Sequence, residues 1–324
     1  MRAMRVAATN AAPELLDIDA PEPGKGEALI DIAACGLNFA DLLMMKGQYQ
    51  EKPAHPYTPG LEMAGIVRAL GPETSGPEPG ARVAAYIGQG GLAEAAALPV
   101  TSLVEVPDTM PLSVAAGFQV AYGTSHVALD HKARLQPGET LLVLGAAGGV
   151  GLTAVELGRI MGAKVIACAK GADKLAVAKE AGAHHLIDSE DGDLRDQVRA
   201  LGGADVVYDA VGGDLFKAAF RATNPDGRIL AIGFASGDVP QIPANILLVK
   251  NISVHGLYWG GYLKFRPEVL TRSLTQLFDW YKEGRISPHI GHIVPLEAAA
   301  EGLELLRSRK STGKVVVQIN QSLQ

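Results

Sequence analysis

The distribution of hydrophobic positions divides the chain into three parts. In the first third, short runs alternate apolar and polar residues between proline and glycine turn signals, which predicts a β-rich module. From about Thr140 onward, apolar strands alternate regularly with amphipathic helices. Strands that are apolar throughout are buried on both faces, so this part predicts a parallel sheet with helices on each side.

The last part returns to mixed elements. The pattern predicts a long helix from Glu268 to Glu283, a second helix from Leu296 to Ser308, and a closing strand, KVVVQI. We expect this strand to fold back onto the first module, because the sheet of the middle part is already complete. Since 324 residues are too many for one hydrophobic core, two domains are predicted.

Composition and charge exclude several classes of protein. The chain has 48% hydrophobic residues, 20% charged residues and a formal net charge of -6, so no basic surface indicates nucleic-acid binding. Cys35 and Cys168 are its only cysteines, which excludes a disulfide framework and a cysteine-rich zinc site and favours a reducing cytoplasm. No segment approaches about 18 uninterrupted apolar residues, so no membrane partner is expected.

The stretch LGAAGGVG, Leu144 to Gly151, has four glycines between a predicted strand and a predicted helix. Ala146, Gly148 and Gly151 match the GxGxxG spacing with alanine first, and a second frame begins at Gly149. The motif alone leaves the frame open. Its position after a strand and before a helix predicts a dinucleotide-binding turn, with a glycine-rich turn that only packs as the alternative.

The residues after the next predicted strand indicate which dinucleotide is bound. NAD-binding proteins usually place an acidic residue at the end of that strand to hold the ribose hydroxyls. Here KVIACA runs into Lys170, and Lys174 follows one helical turn later. Lysines attract a 2′-phosphate, so this pattern favours NADPH. Two solvated lysines, with Asp173 as a ribose ligand, are the alternative.

Longer motifs carry a resemblance to a known family. They are GLNFADLLMMKGQY, PGLEMAGIVRALG, GAAGGVGLTAVELGRIMGAKVIA, DVVYDAVGGD and GFASGDVPQIPANILLVKNISVHGLYWG. In order along essentially the whole chain, they resemble the zinc-independent quinone oxidoreductases of the medium-chain dehydrogenase/reductase superfamily, and among these the quinone oxidoreductase-like subgroup. That branch reads AAGGVG or ASGGVG where its zinc-containing relatives have glycine first, so Ala146 resembles a branch marker.

The resemblance implies an α/β fold with two domains. A GroES-like, β-rich catalytic domain is expected from residues 1–121 and 266–324, and a Rossmann domain with a doubly wound parallel sheet from residues 122–265. NADPH is the implied reductant and a homodimer the implied assembly. The segments GRILAIGF and ISVHGLYW are candidates for a sheet shared between two copies, although burial within one subunit explains them equally.

The positions that match the zinc ligands of the wider superfamily hold other residues. Asn38 stands in place of the first cysteine, and Leu61 stands in place of the histidine. The tetrahedral set of nitrogen and sulfur ligands therefore cannot be assembled. Cys35, three residues before the ligand position, is interpreted as a buried strand residue. The sequence predicts chemistry without a metal.

Hydride transfer to a conjugated carbonyl places negative charge on the carbonyl oxygen, which then needs a hydrogen-bond donor. Asn38 offers an amide donor where the family often has its active-site asparagine, and Tyr49 matches the family tyrosine that contacts substrate. The resemblance implies that Tyr49 is the donor and that Asn38 is a positioning residue. The alternatives are that Asn38 only caps a helix and that Tyr49 is a surface aromatic.

The resemblance also implies the remaining cofactor contacts. Ser189 and Gly171 depart from the family pattern near the adenosine, and Lys170 is expected to compensate. As core packing alone, the apolar residues among these contacts would look the same. The predicted set is Thr124 near the nicotinamide; Ala147, Gly148, Gly149 and Val150 in the turn; Lys170, Lys174 and Ser189 at the adenosine; Ile232, Gly233 and Phe234 where the cofactor crosses; and Leu257, Tyr258 and Trp259 at the acceptor pocket.

Three functions are compatible with these residues. The leading hypothesis is an NADPH-dependent quinone reductase. The second is a reductase of conjugated aldehydes, ketones or enoyl thioesters, and basic residues near the entrance, such as Lys46, Lys52 or Lys264, would favour a CoA thioester. The third is a non-catalytic NADPH-binding protein with a structural or regulatory role.

Overall fold

Strands dominate both ends of the chain, and strands and helices alternate in its middle. The computed structural model describes residues 1–323. The strands are β1 (Arg2–Arg5), β2 (Glu14–Asp17), β3 (Glu27–Leu37), β4 (Glu62–Leu70), β5 (Arg82–Tyr86), β6 (Ala95–Pro99), β7 (Leu103–Glu105), β8 (Thr140–Leu144), β9 (Lys164–Ala169), β10 (His185–Asp188), β11 (Ala204–Asp209), β12 (Thr223–Ala231), β13 (Ser253–Gly256), β14 (Ile290–Pro295) and β15 (Lys314–Gln318).

The helices concentrate in the middle of the chain. They are α1 (Phe39–Met45), α2 (Leu112–Ala115), α3 (Gln119–His126), α4 (Gly149–Ile160), α5 (Ala172–Glu180), α6 (Leu194–Ala200), α7 (Gly213–Ala222), α8 (Ala244–Lys250), α9 (Tyr262–Phe265), α10 (Pro267–Lys282) and α11 (Ala299–Arg307). Within residues 1–323, none of the helices combines the length and the apolar character that crossing a membrane requires.

The residue contacts divide the chain into two units. The first unit combines Met1–Val120 with the chain from Pro288 onward, and the second is Ala121–Ser287. The predicted boundary at residue 266 differs from this division, because α10 is bonded to α3 inside the second unit. Ser273 of α10 lies 2.9 Å from Nδ1 of the buried His126, and the ring of Trp280 meets the same imidazole edge-on.

The first unit is built on a sheet with the order β14-β15-β3-β4-β5-β7, in which β6 also pairs with β3. The closing strand β15 runs antiparallel to β3, with Val315 opposite Leu37, which confirms that it returns to the first module. Val315 and Val317 are fully buried in the hydrophobic core of this unit. The C-terminal segment therefore completes a core that the N-terminal strands begin.

The second unit is built on a parallel sheet with the order β10-β9-β8-β11-β12-β13. Strands β8, β9 and β10 proceed in one direction across the sheet, and β11 to β13 proceed in the other. The order therefore reverses between β8 and β11, and ligands of open parallel sheets bind beyond the carboxyl ends of the strands at such a point. The fold thus places the turn that follows β8 at the expected ligand position.

Candidate active site

The glycine turn joins β8 to α4. Gly145 has a φ of +71°, a conformation that favours glycine, and the N–H of Gly148 donates to the Gly145 carbonyl oxygen at 3.0 Å. A Cβ atom on Gly151 would lie 2.1 Å from that same oxygen. Gly151 therefore permits the close approach of α4 to the turn. This close approach matches the packing role of the third glycine in the frame Ala146, Gly148, Gly151, and thus favours that frame over the one with Gly149, Gly151 and Ala154.

Alanine is compatible with the first motif position for a local reason. The residue that adopts positive φ is Gly145, which precedes the motif, so Ala146 needs no glycine-specific conformation. Ala146 is fully buried, and its N–H donates to the carbonyl oxygen of Cys168 at the end of β9 at 3.1 Å. The methyl group thus fills space under the turn and leaves the turn intact.

Most of the predicted cofactor residues follow directly after a strand of the second unit. Because the sheet is parallel, the structure brings them to one edge. They are Ala147, Gly148, Gly149 and Val150 after β8, Lys170 after β9, Ser189 after β10, Ile232, Gly233 and Phe234 after β12, and Leu257, Tyr258 and Trp259 after β13.

Thr124 lies on α3, where the hydroxyl group of the next residue, Ser125, donates to the Val150 carbonyl oxygen at 2.8 Å. A close contact also links this helix to Trp259. A Cβ atom on Gly123 would lie 2.7 Å from the indole Nε1 of Trp259. The glycine therefore lets the buried indole lie against α3 next to the buried Thr124. Thr124 and Trp259 therefore lie near each other within the second unit.

Asp209, at the end of β11, is a residue that the sequence analysis missed. Its Oδ1 accepts the N–H groups of Val211 at 2.8 Å and Gly212 at 2.9 Å, and its main-chain oxygen accepts the N–H of Ile232 at 2.9 Å. Burial raises the pKa of this carboxyl. Its carboxylate thus stabilises the loop after β11. This loop lies beside the glycine turn, where Val211 contacts Gly145. The signal was an acid before two glycines in DAVGGD.

Lys170 is less free than the sequence analysis expected. Its Nζ lies 2.5 Å from Oε1 of Glu190, and both side chains are largely exposed. The Asp188 carboxylate accepts the N–H of Gly171 at 3.0 Å and that of Glu190 at 3.1 Å. Two carboxylates therefore lie at the position predicted for a 2′-phosphate. An exposed ion pair of this kind contributes about 0–1 kcal/mol, so a phosphate can displace it.

Asn38 occupies the N-cap position of α1 in the first unit, and its side chain makes further bonds. The carboxylate of Asp41 accepts the N–H of Asn38 at 2.8 Å and that of Gly60 at 3.1 Å. The Nδ2 of Asn38 donates to Glu62 Oε1 at 3.0 Å and to the Gly36 carbonyl oxygen at 3.2 Å. Both amide hydrogens are therefore already engaged, which restricts the donor role considered for Asn38.

Glu62 and Lys314 complete this cluster, and the sequence analysis missed both. Lys314 Nζ donates to Asn38 Oδ1 at 2.8 Å, to Glu62 Oε1 at 2.8 Å and to the Leu37 carbonyl oxygen at 2.9 Å. The side chains of Lys314 and Glu62 are 7% and 1% exposed. The second oxygen of Glu62 accepts the N–H of Val120 at 3.0 Å. A buried ion pair thus holds the predicted active-site asparagine.

Tyr49 follows α1 in a loop of the first unit. Its ring is half-buried and packs against the hydrophobic core of that unit. This packing fixes the ring more firmly than the surface aromatic that was the alternative interpretation.

No set of three or more histidine, cysteine, aspartate or glutamate side chains among residues 1–323 is arranged to hold a metal ion. The two cysteines of the described chain are buried free thiols.

Comparisons with known proteins agree with this architecture. A family model described as an alcohol dehydrogenase GroES-like domain matches residues 24–108, and one described as a zinc-binding dehydrogenase matches residues 149–276. The quinone oxidoreductase-like protein 2 homolog of Nematostella vectensis is 42% identical, covering 92% of this chain and 83% of that protein. The chain belongs to the quinone oxidoreductase-like branch of the medium-chain dehydrogenase/reductase superfamily.

Further similarities support the same family. The Bos taurus quinone oxidoreductase-like protein 2 is 41% identical over 90% of this chain and 85% of that protein. The structure of the Thermus thermophilus quinone oxidoreductase, described with its NADPH complex, has a TM-score of 0.88 and 32% identity, covering 98% of this chain and 100% of that one. The predicted fold class, a Rossmann domain with a GroES-like domain, is confirmed, and this family member is an oxidoreductase.

One consequence of the site geometry in this quinone oxidoreductase-like protein is a dependence of stability on pH. Burial raises the pKa of Asp41 to about 7, from an ordinary value of 3.8. The folded state therefore binds this proton more tightly than the unfolded state does. Stability from this group is greatest below pH 3.8 and declines as the pH rises to about 7, by at most about 1.4 kcal/mol per pH unit.

We expect Asp41→Asn to remove that decline. The free energy of unfolding of the variant, measured by urea denaturation from pH 4.5 to 8, should fall less steeply than that of the wild type. Asp17→Asn, at an exposed acid of the same unit, is the control and should follow the wild type. Parallel curves for Asp41→Asn and the wild type would contradict the raised pKa.

Proposed function

We propose that this protein is an NADPH-dependent quinone reductase that works without a metal. The observation that carries the proposal is the glycine turn at the point where the order of the parallel sheet reverses, in a chain of the quinone oxidoreductase-like family. A relative of the same fold is described as a quinone oxidoreductase in complex with NADPH, which supports the choice of cofactor.

The turn fits a dinucleotide. A Cβ atom on Gly148 would have only the Gly145 carbonyl oxygen as a near neighbour, at 3.5 Å, so the backbone is open to a pyrophosphate there. The free N–H groups at the start of α4 would bind the phosphate oxygens, and the helix dipole favours that negative charge. When bound, NADPH supplies the hydride for the reduction.

The first unit provides the groups that act on the acceptor. The hydroxyl group of Tyr49 donates a hydrogen bond to the carbonyl oxygen of the acceptor, on which negative charge develops. Asn38 positions the ligand. The proposal of metal-free chemistry is supported by the cluster around Asn38. Its Oδ1 accepts from the Lys314 ammonium at 2.8 Å, at the position where zinc-containing relatives would have a ligand.

The decisive test is a panel of acceptors. Oxidation of NADPH by the purified protein is followed at 340 nm with quinones, enones, enals and enoyl thioesters, with and without EDTA. We expect turnover with quinones that EDTA leaves unchanged. Turnover confined to enoyl thioesters would replace the quinone assignment with the second hypothesis. Tight NADPH binding without turnover of any acceptor would favour the non-catalytic role.

The preference for NADPH over NADH predicts opposite effects of two sets of substitutions. Replacing Lys170 and Lys174 together by glutamine should raise KM for NADPH about 10-fold or more, with little change for NADH, because each lysine contributes a charge-assisted bond to the 2′-phosphate. Glu190→Gln should lower KM for NADPH, because it removes the carboxylate that pairs with Lys170. Equal effects on both cofactors would contradict the assignment of this site.

We also propose a homodimer in the reducing cytoplasm. The strand β13 lies at the edge of the parallel sheet, and Leu248 and Val249 on the preceding helix α8 are 77% and 76% exposed. A second copy that pairs along β13 would cover such residues. Light scattering should give the mass of a dimer for the wild type, and Leu248→Ser with Val249→Ser should shift it toward the monomer. A monomeric wild type would contradict this assembly.

A further inference from the structure

The buried cluster of the first unit is a closed set of hydrogen bonds. An ammonium group has three hydrogens, and the three on Lys314 are matched by oxygens of Leu37, Asn38 and Glu62 at 2.8 to 2.9 Å. The two amide hydrogens of Asn38 are matched by oxygens of Gly36 and Glu62. The unit charges of Lys314 and Glu62 cancel within the cluster.

This arrangement permits only one orientation of the Asn38 carboxamide. An ammonium group can only donate, so it must face Oδ1, and an ionised carboxylate can only accept, so it must face Nδ2. Rotating the amide by half a turn would oppose donor to donor and acceptor to acceptor. After these bonds, the hydrogen-bonding capacity that Asn38 retains is an acceptor site on Oδ1.

The surrounding backbone is shaped to hold the lysine. Gly117 borders its aliphatic stem, and a Cβ atom there would lie 3.1 Å from Cε of Lys314. The N–H of Val120, three residues after Gly117, donates a hydrogen bond to the second carboxylate oxygen of Glu62, Oε2. The cluster therefore connects β3, β4, β15 and the first turn of α3.

We propose that Lys314 and Glu62 are positioning residues for the reaction, which hold Asn38 so that only its Oδ1 is available to a ligand. A ligand group bound there must then be a donor, such as a hydroxyl or amide N–H. The inference rests on the proposed function, since it concerns the asparagine of that site. A purely structural ion pair is the competing explanation, and it predicts a loss of stability without a specific effect on turnover.

The test removes both charges together, because one charge left alone in a buried site is strongly destabilising. In the variant E62Q/K314M, the lysine donor is lost and the glutamine can present either a donor or an acceptor to Asn38. Of the groups that fix the amide in the wild type, only the Gly36 carbonyl oxygen then still favours the original orientation. Since a small misplacement can cost about 100-fold in rate, we expect kcat to fall about 10- to 100-fold. The Kd for NADPH should stay within about 3-fold, because the proposed cofactor residues are in the second unit.

Combining E62Q/K314M with Asn38→Ala shows whether the ion pair affects kcat through Asn38. If the ion pair acts through Asn38, adding E62Q/K314M to Asn38→Ala should lower kcat little further. The control is E139Q/R228M, which removes the ion pair between Arg228 and Glu139, 2.7 Å apart in the second unit. It should lower the melting temperature and leave kcat unchanged. Multiplicative losses in the triple variant, or a wild-type kcat in E62Q/K314M, would overturn the proposal.

A measurement without turnover keeps the inference separate from the proposed function. The side-chain NH₂ signals of Asn38 can be identified in ¹H–¹⁵N spectra by their loss in Asn38→Ala. They should exchange slowly with solvent in the wild type and at least 10-fold faster in E62Q/K314M. An inactive wild type would count against the proposed function alone. Unchanged exchange in E62Q/K314M would overturn the positioning role, whatever the activity.

Discussion

Gly148→Ala should leave the protein folded and weaken NADPH binding about 100-fold. An added methyl group at this position has space, since its nearest neighbour would be the Gly145 oxygen at 3.5 Å, and the backbone φ of -78° suits alanine. The methyl group would nevertheless keep a pyrophosphate from the N–H groups of the turn. Loss of one or two hydrogen bonds to a charged group costs roughly 3 kcal/mol, which corresponds to about 100-fold in Kd.

Gly151→Ala should act differently, because its methyl group has no space. The new Cβ would lie 2.1 Å from the Gly145 oxygen and 2.8 Å from the Gly145 carbonyl carbon, and these backbone atoms cannot rotate away. Helix α4 would have to move, at a cost of about 3 kcal/mol or more in the free energy of unfolding. NADPH binding should be lost as a consequence of the displaced turn.

Two measurements distinguish the effect of Gly148→Ala from that of Gly151→Ala. Fluorescence titration with NADPH gives Kd, and thermal denaturation without ligand gives the melting temperature. Gly24→Ala serves as the control, because its Cβ would meet only the flexible carboxylate of Glu27, at 3.3 Å. The control should match the wild type in both measurements. Wild-type affinity in Gly148→Ala would show that the pyrophosphate lies elsewhere.

The sequence predicted the fold well wherever burial is continuous. Strands β8, β9 and β11 are almost fully buried, so each contains a run of at least three consecutive apolar residues. Strand β13 is four residues long and has no buried residue, and β14 alternates only between half-buried and exposed positions. Neither carries a continuous apolar pattern. The sequence analysis included β13 only within ISVHGLYW, as a candidate for a sheet shared between two copies, and it did not predict β14. Both depend on pairing with a neighbouring strand that was predicted.

Helix α7 was missed for a different reason. It begins at Gly213, and Gly212 and Gly213 both have positive φ, so the sequence at this point resembles a turn after a strand. The helical signal is the pair Phe216 and Phe220, four residues apart and both buried. Together with Ala219 and Ala222 they form an amphipathic pattern, which the sequence analysis overlooked beside the two glycines.

The candidate site was predictable where it is local and missed where it is not. The glycine turn and the strand ends follow from the chain itself, because each strand delivers its carboxyl end to one edge of a parallel sheet. Lys314 and Glu62 are 252 residues apart, and no periodicity relates them. The frame of the glycine motif depends on the φ of Gly145 and on its approach to Gly151. The part of Glu190 in the candidate site became visible only in the structure, where the loop after β10 brings its carboxylate to Lys170.

The second large effect is expected for Tyr49→Phe, which should lower kcat for quinones about 100-fold. The substitution keeps the ring that packs against the core of the first unit and removes only the hydroxyl group. Loss of one donor to a developing oxyanion costs about 100- to 1,000-fold in other enzymes. The Kd for NADPH should stay close to wild type, because the proposal assigns the hydroxyl to the acceptor and not to the cofactor. The melting temperature, measured alongside, separates a loss of folding stability from the loss of the donor.

Tyr57→Phe is the matched control in the same unit. Tyr57 is buried, its hydroxyl oxygen has no hydrogen-bond partner within residues 1–323, and burial raises its pKa to about 12. Removing an unsatisfied buried hydroxyl is neutral or stabilising, so this variant should keep its kcat and melt no lower than the wild type. If Tyr57→Phe loses activity and Tyr49→Phe keeps it, the donor is Tyr57. The active site would then lie deeper in the first unit, toward Asp41, whose charge contributes to the raised pKa of Tyr57.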